Sequence, residues 1–149
     1  MNSRDLKVRE TMARVARVRD QRAASRLSAA ITAEQQKKDA CDGLTRSRDD
    51  VREASERCLE QSSRLDLARY ALLADLQGIL DTQVAHAEHS LASAVAEREL
   101  RTSERLMTRS RHERADEEAV RYRSAMHQDI EKKQSEQSVE LWLQHGDAA

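Results

Sequence analysis

The chain has no proline and no phenylalanine, and only three glycines and two cysteines among its 149 residues. Proline breaks helices most reliably, because it lacks the amide proton and clashes with the preceding turn. Without it, nothing forces a helix to stop over long stretches. Aromatic residues make up 2% of the chain, and Leu, Ile and Val together number 26. That is too little bulky apolar surface for a compact core of ordinary thickness. Opposite charges nearly cancel, since 26 Lys and Arg (21 of them Arg) meet 27 Asp and Glu for a formal net charge of −1. Disordered chains this polar usually carry a large net charge of one sign, whereas Ala, Leu, Arg, Glu and Gln are strong helix formers. The composition is that of long, salt-bridged helices pairing along a narrow apolar seam.

Long apolar runs are also missing. The longest is Ala71 to Ala74 after Tyr70, against the ~20 residues a membrane helix needs. The polar start, Asn2 to Asp5, is not followed by the apolar segment of a signal peptide. Both observations predict a cytoplasmic protein without direct membrane insertion. Cys41 and Cys58 are 17 positions apart, about 25 Å on one continuous helix, which excludes a disulfide between them there and leaves both as small seam residues.

Apolar side chains recur at seven-residue steps at Leu44, Val51, Cys58, Leu65, Leu72 and Ile79, as in a coiled coil. The companion row, Cys41, Arg48, Ser55, Ser62, Arg69 and Leu76, is small or polar in its middle, which predicts weak packing there. Upstream, Met12, Val15, Ala16, Ala23, Leu27, Ala30 and Ile31 extend the stripe, Lys37 interrupts it, and Gly43 marks a bend or a close approach. The best turn lies within Asp75 to Thr82, where Gly78 suits the left-handed residue that ends a helix and Asp81 or Thr82 suits the next cap. A second site, Gln61 to Asp66, also holds cap residues (Ser62, Ser63, Asp66), but the row through Leu65 argues against it. The second half places Val84, Ala87, Leu91, Val95, Thr102, Leu106, Val120, Ile130 and Leu141 at three- and four-residue steps.

The expected fold is all-α: two long helices in one antiparallel coiled-coil hairpin over 1–149, with arms at 3–76 and 83–144 and a turn at 77–82. Charge agrees with folding back. Residues 1–26 carry eight cations and three anions, whereas 114–149 carry five cations and eight anions. A single straight helix would be roughly 220 Å long, and each arm of a hairpin roughly 100 Å.

Candidates for chemistry are sparse. Of five histidines, only His86 and His89 are spaced to share a helix face, and no third metal ligand lies near them. The chain has no phosphate-binding glycine loop, nucleophile elbow or dinucleotide fingerprint. The reading is therefore non-enzymatic, with neither cofactor nor metal. The cation-rich start, with Arg4, Arg9 and Arg14, could meet nucleic acid, but it has no aromatic platforms and is interleaved with Asp5, Glu10 and Asp20. A salt-bridged flank or a protein contact fits it better. Near the end, Leu141, Trp142 and Leu143 are three adjacent bulky residues, which cannot all face one seam. Either Trp142 projects as a docking anchor or it packs near Leu6 and Val8.

The stretch Asp129, Ile130, Glu131, Lys132, Lys133, Gln134 with Glu136, followed by an aromatic-containing segment, resembles the C-terminal signature of the central stalk proteins of bacterial type III secretion and flagellar export (the YscO and FliJ family). Leu6, Arg9, Glu10 and Ala13 are similar to the start of those proteins, and size and charge alternation match over almost the whole length. Flagellar members of the family tend to carry aromatics near the tip, where this chain has only Tyr70, so it looks closer to the secretion branch. The resemblance implies a stalk seated in the pore of a hexameric secretion ATPase, linked to the export gate membrane protein, associated peripherally with the inner-membrane export apparatus, and able to bind secretion chaperones. It implies a monomer. The positions expected to meet partners are Arg4, Arg9, Arg14, Lys132, Lys133, Leu141, Trp142 and Leu143. Two rival readings are a generic coiled-coil scaffold that binds itself and a nucleic-acid-binding helical protein.

Overall fold

The computed structural model describes residues 2–60 and 66–146, and all of these except Asn2 and Asp66 are helical. Helix α1 runs Ser3–Glu60 and helix α2 runs Leu67–Gly146, and the two pack against each other. Each starts on a side-chain cap. The Asn2 side-chain oxygen accepts a hydrogen bond from the Arg4 amide at 3.1 Å, and an Asp66 carboxylate oxygen accepts one from the Arg69 amide at 3.2 Å. Both satisfy amides that the helix itself leaves without partners.

The expected turn at 77–82 is not there. Helix α2 passes through Gly78 without a break, and no described glycine has a positive φ. Thr82 acts as an interior helix residue rather than a cap, donating its hydroxyl to the Gly78 carbonyl at 3.1 Å. One glycine costs a helix interior only about 1 kcal/mol, less than the capping and packing lost if α2 were divided. Helix α1 instead ends at Glu60 and α2 begins at Leu67; between them Asp66 alone is described, and the second candidate turn at Ser62, Ser63 and Leu65 lies outside the described residues. Gly43 is likewise interior to a helix, with open space where its Cβ would be, so it marks no close approach.

The chain divides into two compact units, Met1–Ala24 with Glu104–Ala149, and Ser25–Ser103. In the second unit Ala30, Cys41, Ser55, Leu80 and Val84 are buried, with Leu27, Glu34, Leu44, Arg48, Val51 and Cys58 half-buried. The seven-step rows of α1 therefore face inward up to Cys58, and Lys37, which interrupts them, is exposed. Beyond Asp66 the phase moves by one residue. Leu73 and Leu80 face in, whereas Leu72, Leu76 and Ile79 are 68%, 40% and 55% exposed. A row extrapolated along one uninterrupted helix loses its phase where the helix ends. The Oγ of Ser55 and the Nε of Arg48 are buried without a hydrogen-bond partner among the described residues, although Arg48 Nε lies 3.5 Å from the Asp49 carboxylate.

In the first unit Ala13, Asp20 and Ala23 of α1 and Ala119 of α2 are buried. Ala16, Thr108, His112, Ala115 and Tyr122 are half-buried, while Met12, Val15, Leu106 and Val120 point outward. The seam is made of small side chains, which let helix axes approach closely, and the bulkier residues flank it.

Replacing Gly78 by Ala should stabilise the protein by about 0.5–1 kcal/mol, because the added Cβ meets open space in a helix interior. Thermal unfolding of Gly78→Ala reads this directly, and a lowered midpoint would contradict a continuous α2.

Candidate partner-binding surface

Asp20 is the most constrained polar group of the first unit. Its residue is 8% exposed, Arg105 is ion-paired to it, and the Thr108 hydroxyl donates to the same carboxylate oxygen at 3.1 Å. A carboxylate so far from water is tolerated only when such donors compensate it. Nearby, Arg9 pairs with Glu118 and lies 4.8 Å from the centre of the Tyr122 ring. The Tyr122 hydroxyl in turn accepts a hydrogen bond from the Asn2 amide at 3.1 Å.

The two flanks of this unit differ in kind. On one, Arg123 pairs with Glu10 and Arg17 lies 3.9 Å from Asp116, around a shallow groove that also includes Ala13, Arg14 and Val120. On the other, Val8, Met12 and Val15 stand at i, i+4 and i+7, 52%, 62% and 44% exposed, above Ala115. Arg19 and Arg111 border that groove, and neither is ion-paired to a described residue. The sequence stripe had placed Met12 and Val15 in the seam. The alanines at 13, 16 and 23 were the better signal, since their three- and seven-residue steps fit the buried row.

The positions expected to meet partners are distributed unevenly. Arg9 is engaged within the unit by Glu118 and Tyr122, whereas Arg4 and Arg14 are exposed. Lys132 is exposed, and Lys133 makes an ion pair one helical turn back to Asp129 at 3.0 Å. Asn2, at the start of α1, meets Tyr122, and α2 runs on to Gly146, so about 24 of its residues, roughly 36 Å, extend past it. Every residue from Glu131 to Gly146 is exposed. Trp142 is 73% exposed and does not pack near Leu6 and Val8, and it shares a helix face with Val139 and Leu143, each 54% exposed. Leu141, 57% exposed, projects from another side. In the second unit Leu72, Leu76 and Ile79 form a further exposed stripe at i, i+4 and i+7.

Among the described residues no group of three or more His, Cys, Asp or Glu is placed to hold a metal ion, and no helix is long and apolar enough to cross a membrane. Comparison with protein-family models, with curated proteins and with solved structures finds no match to this chain.

Two outcomes test this geometry. Arg105→Met strands the Asp20 carboxylate and should cost about 3 kcal/mol in urea unfolding, while the double variant Asp20→Leu with Arg105→Leu should cost much less. A single-variant loss under ~1 kcal/mol would show that Asp20 reaches water. The hydrogen bond and charge of Lys133 hold Asp129 below its ordinary pKa of 3.8. A depressed carboxylate pKa stabilises the folded helix above the ordinary value, and this contribution disappears as pH falls through the lowered one. Carboxyl NMR should show Asp129 titrating below 3.8 and returning to that value in Lys133→Gln; an unmoved midpoint would mean the pair is absent in solution.

Proposed function

We propose that the chain is a non-enzymatic central stalk of a bacterial type III secretion system, binding the hexameric export ATPase through the end of α2 that carries Trp142. The observation that carries this reading is the exposed face of Val139, Trp142 and Leu143, on helix that continues beyond the start of α1. Monomeric soluble proteins seldom leave a large aromatic on such a face without a partner, and Trp is a frequent energetic centre of interfaces.

The order of contacts supports two antiparallel helices in a coiled-coil hairpin. In the first unit Asn2 meets Tyr122, Arg9 meets Glu118 and Asp20 meets Arg105. In the second, Glu34 meets Arg98, while Lys37, Ala40 and Leu44 border a groove with Thr82, His86 and Ser90. Partner numbers fall along α2 as they rise along α1, and inward residues keep the three- and four-residue spacing of a heptad seam. The non-enzymatic reading draws on the grooves described, which are shallow and open and offer no dry site in which a catalytic pKa could be tuned. The stripe of Leu72, Leu76 and Ile79 gives the second unit a separate apolar surface for the export gate or for secretion chaperones. In this reading the peripheral association with the export apparatus runs through exposed side chains, without membrane insertion.

The decisive experiment is a pull-down of the assembled export ATPase by the full chain. Retention of the ATPase, weakened at least about tenfold by Trp142→Ala, is the expected result. An ATPase that does not bind the unmodified chain would remove the proposal.

A further inference from the structure

Two features of the first unit complement each other, and neither is covered by a partner among the described residues. One is the groove of Val8, Met12, Val15 and Ala115 with the unpaired guanidinium groups of Arg19 and Arg111 at its border. The other is the exposed end of α2, where Val139, Trp142 and Leu143 make an apolar face and Glu136 and Glu140 supply the only charges from 135 to 144. The groove is apolar, with Asp5 and the Arg9–Glu118 pair toward one end and the cations of Arg19 and Arg111 toward the other, and the end of α2 is apolar and anionic. The end cannot reach its own groove. Ala115 and Trp142 belong to the same unbroken helix, about 40 Å apart along its axis. Folding the end back would break α2 and expose its backbone groups.

We propose that the end of α2 in one copy occupies the groove of a second copy, so that the free protein is a dimer with two equivalent contacts. With the two α2 helices running in opposite directions, Trp142 lies over Met12 and Ala115 of the second copy. Glu136 then faces Arg121 of that copy, whose only ion pair among the described residues is an exposed one to Glu117 at 3.6 Å. The C-terminal end of the docked helix, with its unsatisfied carbonyls and partial negative charge, approaches Arg19 and Arg111. Each copy gives one helix end and receives one, so the contact closes after two copies instead of propagating. The proposal stands independently of the secretion reading. Should that reading hold as well, the dimer is the free form, and the ATPase competes with the second copy for Trp142.

Light scattering and sedimentation of the full 17.0 kDa chain across micromolar concentrations test it. The expected mass rises to that of two copies. Trp142→Ala and Met12→Glu should each weaken association at least about tenfold while leaving helix content unchanged, since both side chains are largely exposed. Arg111→Glu should weaken it, and Arg111→Glu with Glu136→Arg should not restore it, because Glu136 is assigned to Arg121; Arg121→Glu with Glu136→Arg should. Chains spin-labelled at Thr11, mixed with chains labelled at His145, should show a short distance between copies. A monomer at every concentration, a mass that climbs past two copies, or a dimer indifferent to both Trp142→Ala and Met12→Glu would each overturn the proposal. The ATPase pull-down is read at the ring, so the two ideas fail separately.

Discussion

A carboxylate shut away from water cannot stay charged without donors, and the first unit is organised around that constraint at Asp20. Arg105 and Thr108 of α2 meet it from the facing helix. A seam of alanines has little shape with which to choose one register over another, because neighbouring registers bury similar surface. One buried charge with fixed partners supplies the choice, as polar seam residues do in coiled coils. With that pair in place, Arg9 falls beside Glu118 and Tyr122, and Asn2 reaches the Tyr122 hydroxyl.

The same economy explains the surface. Because small residues occupy the seam, the bulkier apolar residues are displaced to its flanks and to the end of α2. Val8, Met12 and Val15 become a groove wall, Leu72, Leu76 and Ile79 an outward stripe, and Val139, Trp142 and Leu143 an uncovered face. Many of the large apolar residues are thus left exposed among the described residues. Binding surfaces are what a thin-cored helical protein has to offer, and the stalk proposal and the dimer proposal both draw on them.

Much of this was legible in the residues. The absence of proline and the balance of charges point to long helices, and the rows through Cys41, Leu44, Arg48, Val51, Ser55 and Cys58 mark the inward face of α1. The projection of a bulky residue near Trp142 followed from three adjacent large side chains that could not share one seam. Gly78 resembles a helix ender, yet a lone glycine is only a modest penalty inside a long helix, so the turn does not fall there. Asp66 reads as a cap in the sequence, and Leu72 and Ile79 extend the α1 row past it only in phase; in the structure those two belong to a new helix with its own phase. The unpaired arginines beside Met12 could not be read from sequence, because which charges find partners depends on the facing helix.

The direction of the two helices within the first unit is the claim on which both proposals rest, and paired spin labels measure it. With Cys41 and Cys58 replaced and labelled chain diluted in unlabelled chain, labels at Lys7 and Arg121 should lie close together. Labels at Lys7 and Met107 should be clearly farther apart, offset along the helix axis by about 20 Å, the rise of 14 helical residues. Distances in the reverse order, or both far beyond the span of two packed helices, would contradict the account.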